Sequence, residues 1–114
     1  MATESFKILG QVAPGTTNTA LYTVPTGKSA VISTIAVCNQ TSGDVTFRVA
    51  TQKAADASTV TILAKQYIAY GSTVAANDTT FVTIGATLAA GDQIIVYGSS
   101  SSISFNAYGS EVTP

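Results

Sequence analysis

A chain of 114 residues, 46% hydrophobic, has the size and core content of one domain and leaves no room for a second. A formal net charge of −1 gives little long-range field, so neither nucleic acid nor a membrane surface is an expected partner. With no histidine and only six acids, scattered along the chain, the sequence offers no acid–base pair at short spacing, and no catalytic, cofactor-binding or metal-ligating residue is assigned.

Met1-Ala2-Thr3-Glu4-Ser5 has neither the basic start nor the apolar core of a secretory signal, so synthesis without a signal peptide is expected. Residues 1–5 are read as a flexible N-terminal arm. The apolar pattern then predicts eight to nine short strands, near 6–12, 19–24, 29–38, 44–50, 58–63, 65–70, 79–85, 92–98 and 101–108. Between the second and third, Pro25-Thr26-Gly27-Lys28 reads as a tight turn, the proline setting one φ and the glycine free to take a positive one. Ala30 to Cys38 is apolar or small at every position, as in a central strand covered on both faces. Thr41-Ser42-Gly43-Asp44 turns the chain into Val45, Phe47 and Val49, which alternate with Thr46, Arg48 and Ala50 and mark a half-buried strand. Lys53 to Ala57 suits a single helical turn, too short to stand as a helix. Asn77-Asp78 and Gly91-Asp92 each lead into a strand ending at glycine (Gly85 and Gly98) and suit turns needing a positive φ. Ile103, Phe105 and Ala107 alternate with serine and asparagine in the last strand, and residues 110–114 are read as a C-terminal tail. The fold class is therefore all-β: one compact antiparallel β-sandwich over 6–109, of jelly-roll or immunoglobulin-like type.

Few groups could carry chemistry. Asp44, Asp78 and Asp92 sit at turn positions, where such residues cap or bend the chain, and no Asp-rich loop has calcium-ligand spacing. Cys38 has no partner for a disulfide and no basic neighbour in sequence, so it reads as a small buried hydrophobe rather than a reactive thiol. Asn39-Gln40-Thr41 and Asn77-Asp78-Thr79 match the glycosylation triplet by chance in a threonine-rich chain. Tyr22, Tyr67, Tyr70, Tyr97 and Tyr108 fit core or subunit contacts, with a stacking platform for sugars or single strands as the alternative. Ser99 to Ser102 form a polar turn with no histidine to activate a hydroxyl.

Several segments together carry a family resemblance: Lys7-Ile8-Leu9-Gly10-Gln11, Leu21-Tyr22-Thr23-Val24-Pro25, Val37-Cys38-Asn39-Gln40, Tyr67-Ile68-Ala69-Tyr70, Ala75-Ala76-Asn77-Asp78-Thr79 and Ser104-Phe105-Asn106-Ala107-Tyr108-Gly109-Ser110-Glu111. In this layout the chain resembles small virion structural proteins of tailed bacteriophages, especially those of cyanobacteria. The segment Lys53 to Leu63 matches no part of that pattern. The resemblance implies a non-enzymatic sandwich without cofactor, made in the host cytoplasm and located in the virion. It further implies a capsid decoration or cement protein that stabilises the head as a homo-oligomer, a trimer being one option, against the major capsid protein. The alternatives are a tail, baseplate or fibre component bound to tail proteins, and a carbohydrate-binding adhesion module.

Overall fold

Period-two alternation of β-branched and aromatic residues with threonine and serine produces strands throughout. The computed structural model describes residues 3–114, with eight strands: β1 (Thr3–Val12), β2 (Thr19–Thr23), β3 (Ser29–Asn39), β4 (Val45–Gln52), β5 (Tyr67–Val74), β6 (Thr79–Leu88), β7 (Gln93–Gly98) and β8 (Ile103–Thr113). They form two four-stranded sheets, β1-β8-β3-β6 and β2-β7-β4-β5, with every pairing antiparallel. β1 pairs with β8, β2 with β7, β3 with β6 and β4 with β5. The chain is thus one long antiparallel ribbon wrapped into a sandwich, which is the jelly roll of the two expected types.

The core lies between the sheets. Ile32, Ile35 and Val37 of β3 and Ile103, Phe105 and Ala107 of β8 meet Phe47 and Val49 of β4 and Ile94 and Val96 of β7. Phe47 and Phe105 join the two layers edge to face, with ring centroids 6.1 Å apart. Gly109 sits where β3 makes an extra-residue bulge at Ser33, and a Cβ there would strike the Val31 carbonyl. Only glycine permits that approach. Asn77 (φ 55°) and Gly91 (φ 83°) take the positive φ expected of their turns.

Four expectations need correction. Residues 58–63 form no strand; between β4 and β5 the chain makes short 3-10 turns at Ala54–Asp56 and Ala64–Gln66. Glutamine and serine side chains hold its backbone in place of a neighbouring strand. Gln52 accepts from Ser58 N (3.1 Å), Gln66 accepts from Leu63 N (2.9 Å), and Ser58 Oγ accepts from Val60 N and Thr61 N. Second, Thr3–Ser5 of the expected arm pair with Glu111–Thr113 of the expected tail as the ends of β1 and β8, while Met1 and Ala2 lie outside the described residues. Third, β3 is interior to its sheet but only its inner face meets the core, and Val31 and Ser33 are exposed. Fourth, Cys38 lies on that outer face and is half-buried rather than buried.

Candidate functional site

In a sheet, residues directly across from one another share a face, so the register defines the two outer surfaces of the sandwich. On the first sheet five rows face outward, and the central three are Phe6, Ser110, Val31 and Thr87; Ile8, Tyr108, Thr34 and Thr83; Gln11, Asn106, Ala36 and Phe81. Phe6 is 81% exposed, Phe81 65% and Ile8 54%, with Tyr108 and Val31 also open to solvent. No charged residue lies in these three rows, and Glu4 in the next row beside Phe6 is the acid at the edge of this face. Large apolar side chains held open across a sheet mark a surface suited to contact with protein, membrane or ligand.

The outer face of the second sheet is aromatic. Tyr97 of β7, Arg48 of β4 and Tyr70 of β5 form one row, and Ile95, Ala50 and Tyr67 form the next. The Arg48 guanidinium carbon is 4.3 Å from the Tyr70 ring centroid and 4.6 Å from that of Tyr97, distances that give cation–π attraction to both. Tyr67 and Tyr70 meet edge to face at 4.9 Å. Three residues apart, these two tyrosines would face opposite ways on a regular strand. An extra residue, Ile68, opposite the Val49–Ala50 step turns both to the same side. The other two tyrosines lie elsewhere: Tyr22 is buried and Tyr108 is on the first sheet.

The acids serve the fold. Asp44 accepts from Ala76 N and Asp78 from Thr79 N; Asp92 accepts from Ala54 N and Ala89 N, both at 2.9 Å, tying the β4–β5 loop to the β6–β7 turn. Asp92 and Asp56 line a cleft of about 400 Å³ together with Lys53, Lys65, Gln52 and Gln66. Gln52 bonds Gln66 at 3.1 Å and Gln93 at 2.8 Å, so its polar wall is internally satisfied. Ser99 Oγ accepts from Thr46 N, which makes it a turn residue.

Glu111, which falls in the expected C-terminal tail, is the most enclosed of the charged groups. Its side chain points into the end of the sandwich, where Oε2 accepts from the Tyr22 hydroxyl at 2.7 Å and Oε1 lies 2.6 Å from Lys7 Nζ and 3.7 Å from Lys28 Nζ. The bond from Lys7, then that from Tyr22, holds its carboxyl below the usual range, outweighing the opposite effect of burial. Burial first, and the Glu111 carboxylate second, push the Tyr22 hydroxyl well up. A carboxyl group with a lowered folded-state pKa stabilises the fold fully above its ordinary value, 4.5, and that stability is lost as pH falls through the folded pKa. Glu111→Gln keeps an acceptor for Tyr22 and removes the charge. The variant should be less stable than the parent near neutrality, and the gap should narrow in urea unfolding as pH falls below about 4.5 and through the lowered folded-state pKa. Parallel pH curves for the two proteins would show that this carboxylate is not the acid-sensitive group.

The geometry defines an eight-stranded jelly roll with one apolar and one aromatic outer face. No protein-family model matches the chain, and no curated protein does. Among solved structures it is similar to a chain of the T13 particle of infectious bursal disease virus, with a TM-score of 0.55 and 12% identity, over 97% of this chain and 30% of that one. The VP2 subviral particle of the same virus gives a TM-score of 0.55 at 10% identity, over 97% of this chain and 32% of that one. A structure of its Gx strain gives 0.54 at 12% identity, over 98% and 31%. The chain therefore spans about a third of the length of these viral chains, and at such identities what is shared is the fold.

Proposed function

We propose that this chain is a non-enzymatic structural protein of a virion, and more narrowly a decoration or cement protein that docks on a capsid as a homo-oligomer. The observation that carries the reading is the first sheet's outer face, where Phe6, Ile8, Val31, Phe81 and Tyr108 stand open without a charge in their rows. Burying such a face against protein contributes about 25 cal/mol per Å² of apolar area before the losses of association are subtracted. The likeness of the whole sandwich to a section of virus-particle chains supports a shell as the place where that burial occurs. With only 10% charged residues, little surface charge opposes close packing among many copies.

Particles assembled without the chain should release their genome at lower temperature or lower salt than complete ones, and adding the purified chain should restore them. Phe81→Asp should fold like the parent, because the ring is exposed, yet fail to bind and protect those particles. Particles that survive heating equally well with and without the chain would exclude a cementing role. A copy number of a few per virion, in place of shell coverage, would point to the tail.

A further inference from the structure

On the face of the sandwich opposite the apolar one, we propose that Tyr67, Tyr70 and Arg48 form a binding site for a carboxylate-bearing saccharide. This site does not depend on the shell reading. A groove of about 600 Å³ lined by Ile62, Ala64, Tyr67 and Tyr70 runs along β5, within the range of about 300–1,000 Å³ that small-ligand sites occupy. Its walls are flat rings and short aliphatic side chains, surfaces on which the C–H face of a sugar ring stacks. Tyr70 is 63% exposed, so its ring is accessible, and the edge-to-face contact with Tyr67 at 4.9 Å fixes its orientation beforehand.

Arg48 sets the ligand's charge. Its guanidinium carries five N–H donors, and among the described residues it has neither an ion-pair nor a hydrogen-bond partner. The rings of Tyr70 and Tyr97 hold it in position between them but use none of those donors. A planar fork held this way, with no carboxylate of its own, matches a carboxylate in two parallel hydrogen bonds. Tyr70 belongs to both parts, walling the groove and stacking on Arg48, so one ligand can place a ring on tyrosine and an acid group on the guanidinium. In the adjoining outward row, Thr46 and Thr73 are exposed and offer hydroxyls to a second sugar unit.

Calorimetric titration of the full chain with oligogalacturonate, a neutral oligosaccharide of equal length and an acidic peptide tests the site. The acidic sugar should bind at least tenfold more tightly than either competitor. Tyr70→Ala should weaken it about tenfold, Tyr70→Phe should not, and Arg48→Lys should lose the preference for acid over neutral sugar because the charge remains but the fork does not. Equal unfolding temperatures for Tyr70→Ala and the parent make any loss a local one. Absence of binding by oligogalacturonate at millimolar concentration, or affinity unchanged by Tyr70→Ala, overturns the proposal. Tighter binding of the acidic peptide does so as well, and makes this face a protein contact.

Discussion

Replacing Phe105 with alanine should lower the free energy of unfolding by about 3–5 kcal/mol, a large share of the about 5–15 kcal/mol a domain of this size has. The ring is fully buried near the start of β8 and reaches across to Phe47 of β4, so its removal opens a void between the sheets that neither can close alone. Phe47→Ala should cost a similar amount. Because the pair meets edge to face, the double variant should fall short of the sum of the single losses by about 0.5–1.5 kcal/mol. Phe6→Ala and Phe81→Ala, which remove equally large rings from the outer face, should stay within about 0.5 kcal/mol of the parent. Urea unfolding of the five variants measures all of this. A Phe105→Ala protein no less stable than Phe81→Ala would mean that the core is not where the register puts it.

The contrast between those phenylalanines shows which parts of the structure can be read from sequence. Phe47 and Phe105 lie in clean alternation, and the period alone assigns them inward. Phe81 lies in an equally apolar run, Phe81-Val82-Thr83-Ile84, where alternation assigns two faces but cannot say which one is covered. That depends on the partner sheet, which is remote in sequence. The aromatic face was illegible for a different reason. A bulge at Ile68 changes the parity of β5, and nothing in Tyr67-Ile68-Ala69-Tyr70 announces it; only Gly71, at φ 68°, hints at an irregular strand nearby. The segment 58–63 misled because its β-branched residues satisfy strand preference, while the groups that hold it as a loop, Gln52 and Gln66, lie outside it. Polar Thr3-Glu4-Ser5 and Ser110-Glu111 gave no apolar signal, and their pairing closes the longest loop in the chain, the least local contact there is.

Asn39 carries the other large expected effect. It ends β3 at 1% exposure, and its Nδ2 donates toward three carbonyl oxygens: Gly43 at 2.8 Å, Ala75 at 3.0 Å and Val74 at 3.2 Å. Its Oδ1 accepts from Thr41 N and Thr41 Oγ1, so one side chain ties the β3–β4 turn to the β5–β6 turn. Asn39→Asp has the same shape but no N–H, and sets a buried carboxylate against those carbonyl groups. A loss of about 3–5 kcal/mol at neutral pH is expected, as for an unpaired buried charge. The new carboxyl group should titrate above its unfolded value of about 3.9, since both burial and the facing carbonyls oppose ionisation. Stability should therefore recover as pH falls through that raised pKa, because the protonated acid is neutral and can donate one bond. Glu111 titrates in variant and parent alike and cancels in the comparison, so the stability difference between them should narrow in acid through the introduced carboxyl group alone. Asn39→Ala, which loses the same bonds without adding charge, should show no such recovery. If Asn39→Asp and Asn39→Ala follow one pH curve, the amide is not the tie between the two turns.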